Sequence, residues 1–371
     1  MSRHSACRAE ATMRFRVAQL VRQIDWWLLG SAVVLAVLGL LLIYSLTWPQ
    51  EPLFLKQFLF LFMGIGLVLV IQGFDKHFWR NASVVFYVVT VVILAGLLVF
   101  GATTRGIQGW LYLGPIAIQP AEFAKIALVL FLATTLEKLN FDIANVKHLI
   151  LVLLVVGLPV GLAAAQPDFG SAFIMIVVSA VMILYTGLDK QKFIILILGG
   201  LLLAAFAWFG WLQDYQKNRI LTFINPQADP LGAGYNVRQA MVAVGSGGVF
   251  GRGLGLGTQS QLNFLPEQET DFIFAALAEE LGFIGAAAVL ILYLIIMRRI
   301  YLMIKDGEDL FTNFMLLGIM SIFLTQSVIN IGMNMGIFPV TGITLPFVSY
   351  GGSSLLVSFF CLGLAQTARQ S

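Results

Sequence analysis

The sequence predicts an all-α polytopic membrane protein of ten transmembrane helices, with both termini cytoplasmic and one large extracytoplasmic loop between spans seven and eight. Three observations lead there. Of the 371 residues, 59% are hydrophobic and only 11% charged, with a mean hydropathy of +0.91; soluble domains carry about 25% charged residues. The apolar residues run in charge-free stretches of bilayer length, roughly 20 residues. The basic residues gather at alternate ends of those stretches. This composition excludes a soluble enzyme, a disordered chain and a nucleic-acid binder of the basic-patch kind. An outer-membrane barrel is excluded too, because its strands alternate apolar and polar residues.

The spans follow in order. A basic tail, 1–25, precedes the first apolar stretch, 26–50. That stretch is too long for a signal-peptide h-region and lacks a small-residue cleavage site, so it reads as an uncleaved span. Spans two and three are 57–74 and 81–104, and span four is 118–136, apolar apart from Glu122 and Lys125. Spans five to seven are 149–167, 169–188 and 193–213, and span eight, 271–297, carries acids only near its start. The stretch 310–368 has no charge at all. As one helix it would extend about 88 Å at ~1.5 Å per residue, far beyond a bilayer, so it divides into spans nine and ten. Glycine and proline place the break near Gly336–Pro346. The chain 1–371 then forms a single membrane domain, with 212–270 as its long outer loop.

Orientation comes from the basic residues. Arg3, Arg8, Arg14, Arg16 and Arg22 put the tail in the cytoplasm, and Lys76, Arg80, Lys138, Lys190, Arg298, Arg299 and Arg369 fall on the same side by alternation. The short outer loops hold only Lys56 and Arg105. Cys7 and Cys361 make no disulfide framework, and His4, His77 and His148 are scattered singly.

Ionisable residues inside a bilayer cost several kcal/mol unless paired or facing a polar cavity. Glu122 and Lys125 are three apart, on one face of span four. Asp168 sits in the tight turn Gln166-Pro167-Asp168, and Asp271 begins span eight. All four lie toward the outer side, with Glu279 and Glu280 two turns below Asp271, and nothing comparable is expected in the inner half. Each has a plain structural alternative. Glu122 and Lys125 would form a neutralised pair, while Asp168 and Asp271 would cap the helices that follow them. The role of Glu279 and Glu280 stays open.

The outer loop is too long for an ordinary connector. Its stretch 234–244 places Val237, Met241 and Val244 at helical spacing, which suits an amphipathic helix lying in the interface. The following GSGGVFGRGLGLG, 245–257, suits either a phosphate cradle of backbone N–H groups or a flexible loop. Basic residues facing the outer leaflet, Arg219 and Arg238 among them, suit an anionic headgroup such as a lipid diphosphate.

Five blocks resemble a known family. They are WLYLGPIAIQPAEFAKIALVLFLA (110–133), AAQPDFGSA (164–172), NPQADPLGAGYNVRQAMVAVGSGG (225–248), GTQSQLNFLPEQETDFIFAALAEELG (257–282) and NIGMNMGIFPVTGITLPFVSYGGSS (330–354). In this order they resemble the SEDS family, the shape, elongation, division and sporulation proteins. GTQSQLNFLPE and DPLGAGY look more like its elongation member than its division member, while RGIQGW (105–110) departs from the usual Gly-Ala-x-Arg-Trp. The resemblance implies polymerisation of lipid II into peptidoglycan at the outer face of the bacterial inner membrane. It also implies work beside a class B penicillin-binding protein and other cell-elongation proteins, and ten spans. By motif match Asp271 falls on the family's essential loop aspartate, Glu122 and Lys125 on its QPxExAK motif, and Asp168 on its AQPD motif.

The chemistry implied joins an anomeric carbon, leaving from a polyprenyl diphosphate, to the 4-hydroxyl of the next disaccharide. Asp271 would act as general base on that hydroxyl. Lys125, Lys56, Arg219 and Arg238 would stabilise the departing diphosphate, with Glu122 and Asp168 orienting Lys125. A single base without a covalent nucleophile implies inversion. No cofactor is indicated; an Asp-x-Asp metal motif is missing, and a divalent cation stays compatible with the sequence. A lipid-precursor flippase or a passive scaffold are the competing classes; the charges at one face and the lack of a relay into the inner half speak against transport.

Overall fold

The computed structural model describes residues 24–48, 52–104, 107–114, 116–139, 145–210 and 232–370 except 263, together with 217, 221–223 and 225. The basic tail before 24, Arg105 and Arg219 lie outside the described residues.

Helices occupy every segment read as a span. They are α1 (Trp26–Thr47), α2 (Pro52–Gln72), α3 (Lys76–Phe100), α4 (Pro120–Lys138), α5 (Val146–Ala165), α6 (Phe169–Tyr185), α7 (Lys190–Gly210), α10 (Ile273–Asp306), α11 (Leu310–Asn334) and α12 (Gly352–Thr367). Two shorter ones, α8 (Ala233–Ser246) and α9 (Thr258–Gln261), come before α10. Among the described residues, six helices are at least 18 residues long and apolar enough to cross a membrane. Their starts are written in the sequence: Asp25, Asp75, Asn145, Asp168 and Asp309 each accept a backbone N–H of the first turn they precede.

The all-α expectation fails in one place. Residues 102–118 form a three-stranded antiparallel sheet of β1 (Ala102–Thr104), β2 (Ile107–Leu113) and β3 (Ile116–Ile118), in the order β1-β2-β3. The register pairs Thr103 with Gln108 and Tyr112 with Ala117. Between Gly101 and Pro120 the chain is rich in β-branched and aromatic residues and too short between breakers for a helix.

The centre of the bundle is α4, α11 and α12, whose residues are buried nearly all round. Helix α12 packs against α2, α4 against α3 and α11, and α10 against α1 and α11. The loops 101–119, 166–168, 247–272 and 335–351 share one end of the bundle, the loop end. The opposite, basic end holds two charge networks that the sequence reading did not expect. Buried Asp25 accepts from Arg299 through Nε (2.8 Å) and Nη2, and lies 3.5 Å from Arg369 Nη1. Gln366 binds the Asp25 backbone on both its N–H and its carbonyl. In the second network Arg80 pairs with Glu137 (2.9 Å) and Asp309 (2.7 Å) and stacks over Phe311. These charges sit at helix ends, where sequence alone reads them as solvated flanks; antiparallel packing brings the ends together.

Removing one partner of a buried pair strands the other. Arg299 is partly exposed and Arg369 remains nearby, so Arg299→Ala should cost about 2 kcal/mol, below the range for fully enclosed pairs. It should lower the thermal midpoint of the detergent-solubilised protein, with Arg299→Lys recovering only part, because lysine lacks the fork. The Asp309 carboxyl shows a pH effect of the same kind. Burial acts to raise its pKa, but the Thr312 hydroxyl and N–H and Arg80 outweigh burial and hold it below the ordinary carboxylate value. Its contribution is therefore present above the unfolded value of about 3.9 and lost as pH falls through the lower folded value. Acid unfolding of Asp309→Asn should show a shallower pH dependence than wild type in that window.

Candidate functional site

The site is built around the chain between α11 and α12. Its two prolines and glycines cannot continue a helix, so 335–351 folds back over the loop end. Asn330 and Asn334 lie one turn apart at the end of α11, both fully buried. Asn334 Nδ2 donates to the Asp271 carbonyl (3.0 Å), and its Oδ1 accepts the Ala275 N–H (3.0 Å). Asn330 Nδ2 donates to the same carbonyl (3.1 Å) and to that of Ile343 (2.7 Å). Nearer α12, Ser349 Oγ donates to the Thr270 carbonyl (2.7 Å), and the Tyr350 N–H donates to that of Glu269 (2.8 Å). The backbone before Asp271 is thus fastened to 349–350, and the Asp271 carbonyl and the Ala275 N–H to the end of α11, where Asn330 also holds Ile343.

Asp271 itself is half-buried. The cap position of α10 is Phe272, so Asp271 is not the cap that the sequence allowed. Its carboxylate points along the loop: a Cβ at Gly342 would lie 3.7 Å from Asp271 Oδ2. Burial and the neighbouring Glu269 carboxylate push the Tyr350 phenol above its ordinary pKa, which keeps it a neutral donor at physiological pH.

The other motif residues join through the same loop. Asp168 caps α6, accepting from the Ser171 N–H (3.0 Å) and hydroxyl (2.8 Å), and its Oδ2 also accepts from Gln119 Nε2 (2.8 Å). Gln119 donates its N–H to Ser353 Oγ (3.1 Å), at the start of α12. At the first turn of α6, Gly170 lies against Thr341 and Ile343. Glu122 and Lys125 follow in α4, with Nζ 2.6 Å from Glu122 Oε1. Hydrogen bonds therefore form a path from Lys125 through Glu122 and Gln119 to Asp168, and the 341–343 turn lies between Gly170 and Asp271.

Several expectations are corrected. Asp168 does not orient Lys125; it holds Gln119 and its own helix. Lys125 is enclosed, with 1% of its side chain exposed, so its ammonium balances Glu122 and does not front an opening. Lys56 is exposed on α2, next to Gln57, which bonds the Ser349 carbonyl and the Gly351 N–H. Arg238 is exposed on α8, its Nε 3.4 Å from the Gly234 carbonyl. Neither belongs to the path, and Arg219 lies outside the described residues.

Helix α8 does not lie free in the interface. Its Val237, Ala240 and Ala243 face inward, the two alanines clustering with Phe272 and Ala275, while Met241 covers Gly336. The glycine-rich stretch does not present a row of free N–H groups as a phosphate cradle would, because those of 251, 252, 253, 255 and 256 are engaged within the protein. The N–H groups of Arg252 and Gly253 donate to the carbonyls of Glu279 and Glu280, and that of Gly255 to the Glu280 carboxylate. Glu279 accepts the N–H groups of Gln259 (2.8 Å) and Ser260 (3.0 Å), and Glu280 accepts Ser45 Oγ (2.8 Å). These two acids are staples for the outer loop.

Sequence reasoning missed Asn330, Asn334, Gln119, Ser349 and Ser353. The available signal was two asparagines one helical turn apart in an otherwise apolar run. Among the described residues no group of three or more His, Cys, Asp or Glu is placed to hold a metal ion. At the loop end Asp271 is a half-buried carboxylate whose own carbonyl is held by two buried asparagines, a geometry suited to taking a proton from a hydroxyl.

The chain resembles several known proteins in sequence and fold. The chain is 36% identical over 350 residues to the peptidoglycan glycosyltransferase MrdB of Escherichia coli K12, covering 93% of each. It superposes with a TM-score of 0.82 and 30% identity on a chain of a structure described as "Structural coordination of polymerization and crosslinking by a peptidoglycan synthase complex", covering 93% of this chain and 97% of that one. The rod shape determining protein RodA of Thermus thermophilus gives a TM-score of 0.71 at 29% identity, with 93% and 96% covered. The FTSW_RODA_SPOVE model, described as "Cell cycle protein", matches residues 25–371. By its motifs, its fold and this match, the chain belongs to the FtsW/RodA/SpoVE family, the SEDS proteins.

Proposed function

We propose that this chain is a peptidoglycan glycosyltransferase of the elongation type, polymerising lipid II with Asp271 as general base on the acceptor 4-hydroxyl. Peptidoglycan glycosyltransfer is the activity carried in the name of its relative MrdB. The observation that supports the site is that the backbone at 269 and 270, just before Asp271, and Gln119, whose side chain bonds Asp168, are fastened to Ser349, Tyr350 and Ser353 of one segment.

In this reading the chain crosses the bacterial inner membrane ten times as one domain. The tail 1–25 and the basic end face the cytoplasm, and the loop 212–270 and Asp271 face outward. Asp271 draws the proton from the acceptor hydroxyl as the oxygen attacks the anomeric carbon, inverting it. The C–O bond to the polyprenyl diphosphate breaks, and the diphosphate leaves with the bonding pair. The exposed cations Lys56 and Arg238, and Arg219 of the same outer loop in the sequence, meet its charge. Lys125 neutralises Glu122 below the site, and Asp168 fixes Gln119. The partner is a class B penicillin-binding protein within the elongation machinery, in keeping with the synthase complex of the structural neighbour.

The test is purified protein, reconstituted with its class B partner and given labelled lipid II. Glycan strands should form, and should fail to form without the chain. Label that crosses the vesicle wall with no polymer made would replace this reading with the flippase.

A further inference from the structure

We propose that the stretch 249–256 is a membrane anchor, seated in the acyl region of the leaflet at the loop end, which fixes the height of the loop leading to Asp271. Two contacts between α1 and α10 act as a ruler. At the basic end Asp25 meets Arg299; toward the loop end Ser45 meets Glu280. The 20 residues from 25 to 45, and the 19 from 280 to 299, each span about 30 Å at ~1.5 Å per residue. That is the thickness of the hydrocarbon core, roughly 30 Å. With the Asp25–Arg299 pair at one boundary, the Ser45–Glu280 contact lies at the other.

The glycine-rich stretch is bonded at this level. Gly253 donates to the Glu280 carbonyl, and Gly255 to its carboxylate. Phe283 and Ile284 donate their N–H groups to the carbonyls of Gly248 and Val249. The side chains that leave this framework are apolar and bare. Phe250 is 81% exposed and Leu256 67%, with Val249 and Leu254 more than half or half exposed. Phe283 and Ile284 on α10, whose N–H groups bond this stretch, are likewise exposed and apolar.

Irregular backbone at membrane depth needs its polar groups engaged within the protein. Here five of the eight N–H groups of 249–256, those of 251, 252, 253, 255 and 256, are so engaged. Gly251 donates to Gly247, Arg252 and Gly253 to the helix carbonyls at 279 and 280, and Leu256 to Gly253. The one charge of the stretch, exposed Arg252, has its guanidinium bonded to the Ser246 carbonyl and Thr258 Oγ1 (both 3.3 Å), which suits a headgroup-level position beside apolar side chains that face lipid. A water-exposed loop has no use for four large apolar side chains held out on a stretch tied this closely to a helix. The anchor is independent of the chemistry. Its consequence rests on the reading above: it sets Asp271 at the height where a lipid-borne diphosphate meets water.

The test is a nitroxide at Phe250→Cys, and separately at Leu256→Cys, in a Cys7→Ser background; Cys361 is fully buried and stays unlabelled. The protein is placed in vesicles of phosphatidylethanolamine and phosphatidylglycerol without its partner. At both positions collisions with oxygen should exceed those with a water-soluble nickel chelate several-fold. A label at exposed Pro266→Cys, above the start of α10, should show the reverse. Nickel accessibility at 250 and 256 equal to that at 266 would overturn the anchor. So would labels accessible to nickel alone but shielded when the class B protein is added, since the surface would then be a protein interface. No turnover is read, so failure here leaves the glycosyltransferase reading untouched.

Discussion

Asp271→Asn should lower glycan polymerisation by about 10²–10⁴-fold, the usual worth of a positioned general base, while leaving the folded protein as stable as wild type. The two halves of this expectation have separate physical grounds. The backbone carbonyl of residue 271, not its side chain, takes the bonds from Asn330 and Asn334. An amide of the same shape keeps that framework and loses only the capacity to accept a proton. The loss should fall on kcat with KM for lipid II nearly unchanged, because the interaction matters in the transition state alone. Asn334→Ala makes the informative contrast. It leaves the Ala275 N–H and one bond to the Asp271 carbonyl unmade, so it should lower the thermal midpoint as well as the rate. Rates with labelled lipid II, set beside scanning fluorimetry, separate the two. Wild-type polymerisation by Asp271→Asn would remove the base assignment.

What could be read in the sequence follows from the range of each interaction. Long apolar stretches specify helices locally, so the helices appear where the hydropathy placed them, and glycine and proline mark the fold-back at 335–351. Asp271 stood out because an acid beside an apolar stretch is costly and therefore conspicuous. The three-stranded sheet escaped notice because strands of three to seven residues leave little periodicity to detect. Asn330 and Asn334 escaped because an uncharged side chain raises no alarm in a hydropathy profile, whatever it holds. Partners distant in the chain were beyond reach: Gln119 and Asp168 are 49 residues apart, Asp25 and Arg299 are 274 apart. In each case the sequence displayed one half of the pair as an ordinary cap or flank. Lys125 is the case where a local pair could be read: three residues from Glu122, it has its counter-charge on its own helix, the neutralised pair that the spacing allowed.

Gly282→Ala should be among the most damaging single changes in the chain, costing more than about 3 kcal/mol. Gly282 breaks α10 with φ 67° and ψ −164°, a region that side-chain-bearing residues essentially do not enter. A Cβ there would also lie 2.2 Å from the Gly251 N, and a Cβ at Gly251, itself at φ 79°, would lie 2.2 Å from the Glu280 carbonyl oxygen. Backbone meets backbone, so no side chain can rotate away to relieve the overlap. The break has a purpose that a continuous helix would defeat. In an unbroken helix the carbonyls of 279 and 280 would accept N–H groups of the next turn; here they accept Arg252 and Gly253, while Phe283 and Ile284 donate to 248 and 249. Closing the helix would therefore release the outer loop from its seat, and with it the segment that delivers Asp271. Gly282→Ala should unfold at a markedly lower temperature and make little glycan. Gly66→Ala, in open space on α2, should be neutral or slightly stabilising, by up to about 1 kcal/mol. Should Gly282→Ala melt and polymerise as wild type does, the exchange of backbone bonds across the break is not what holds the loop.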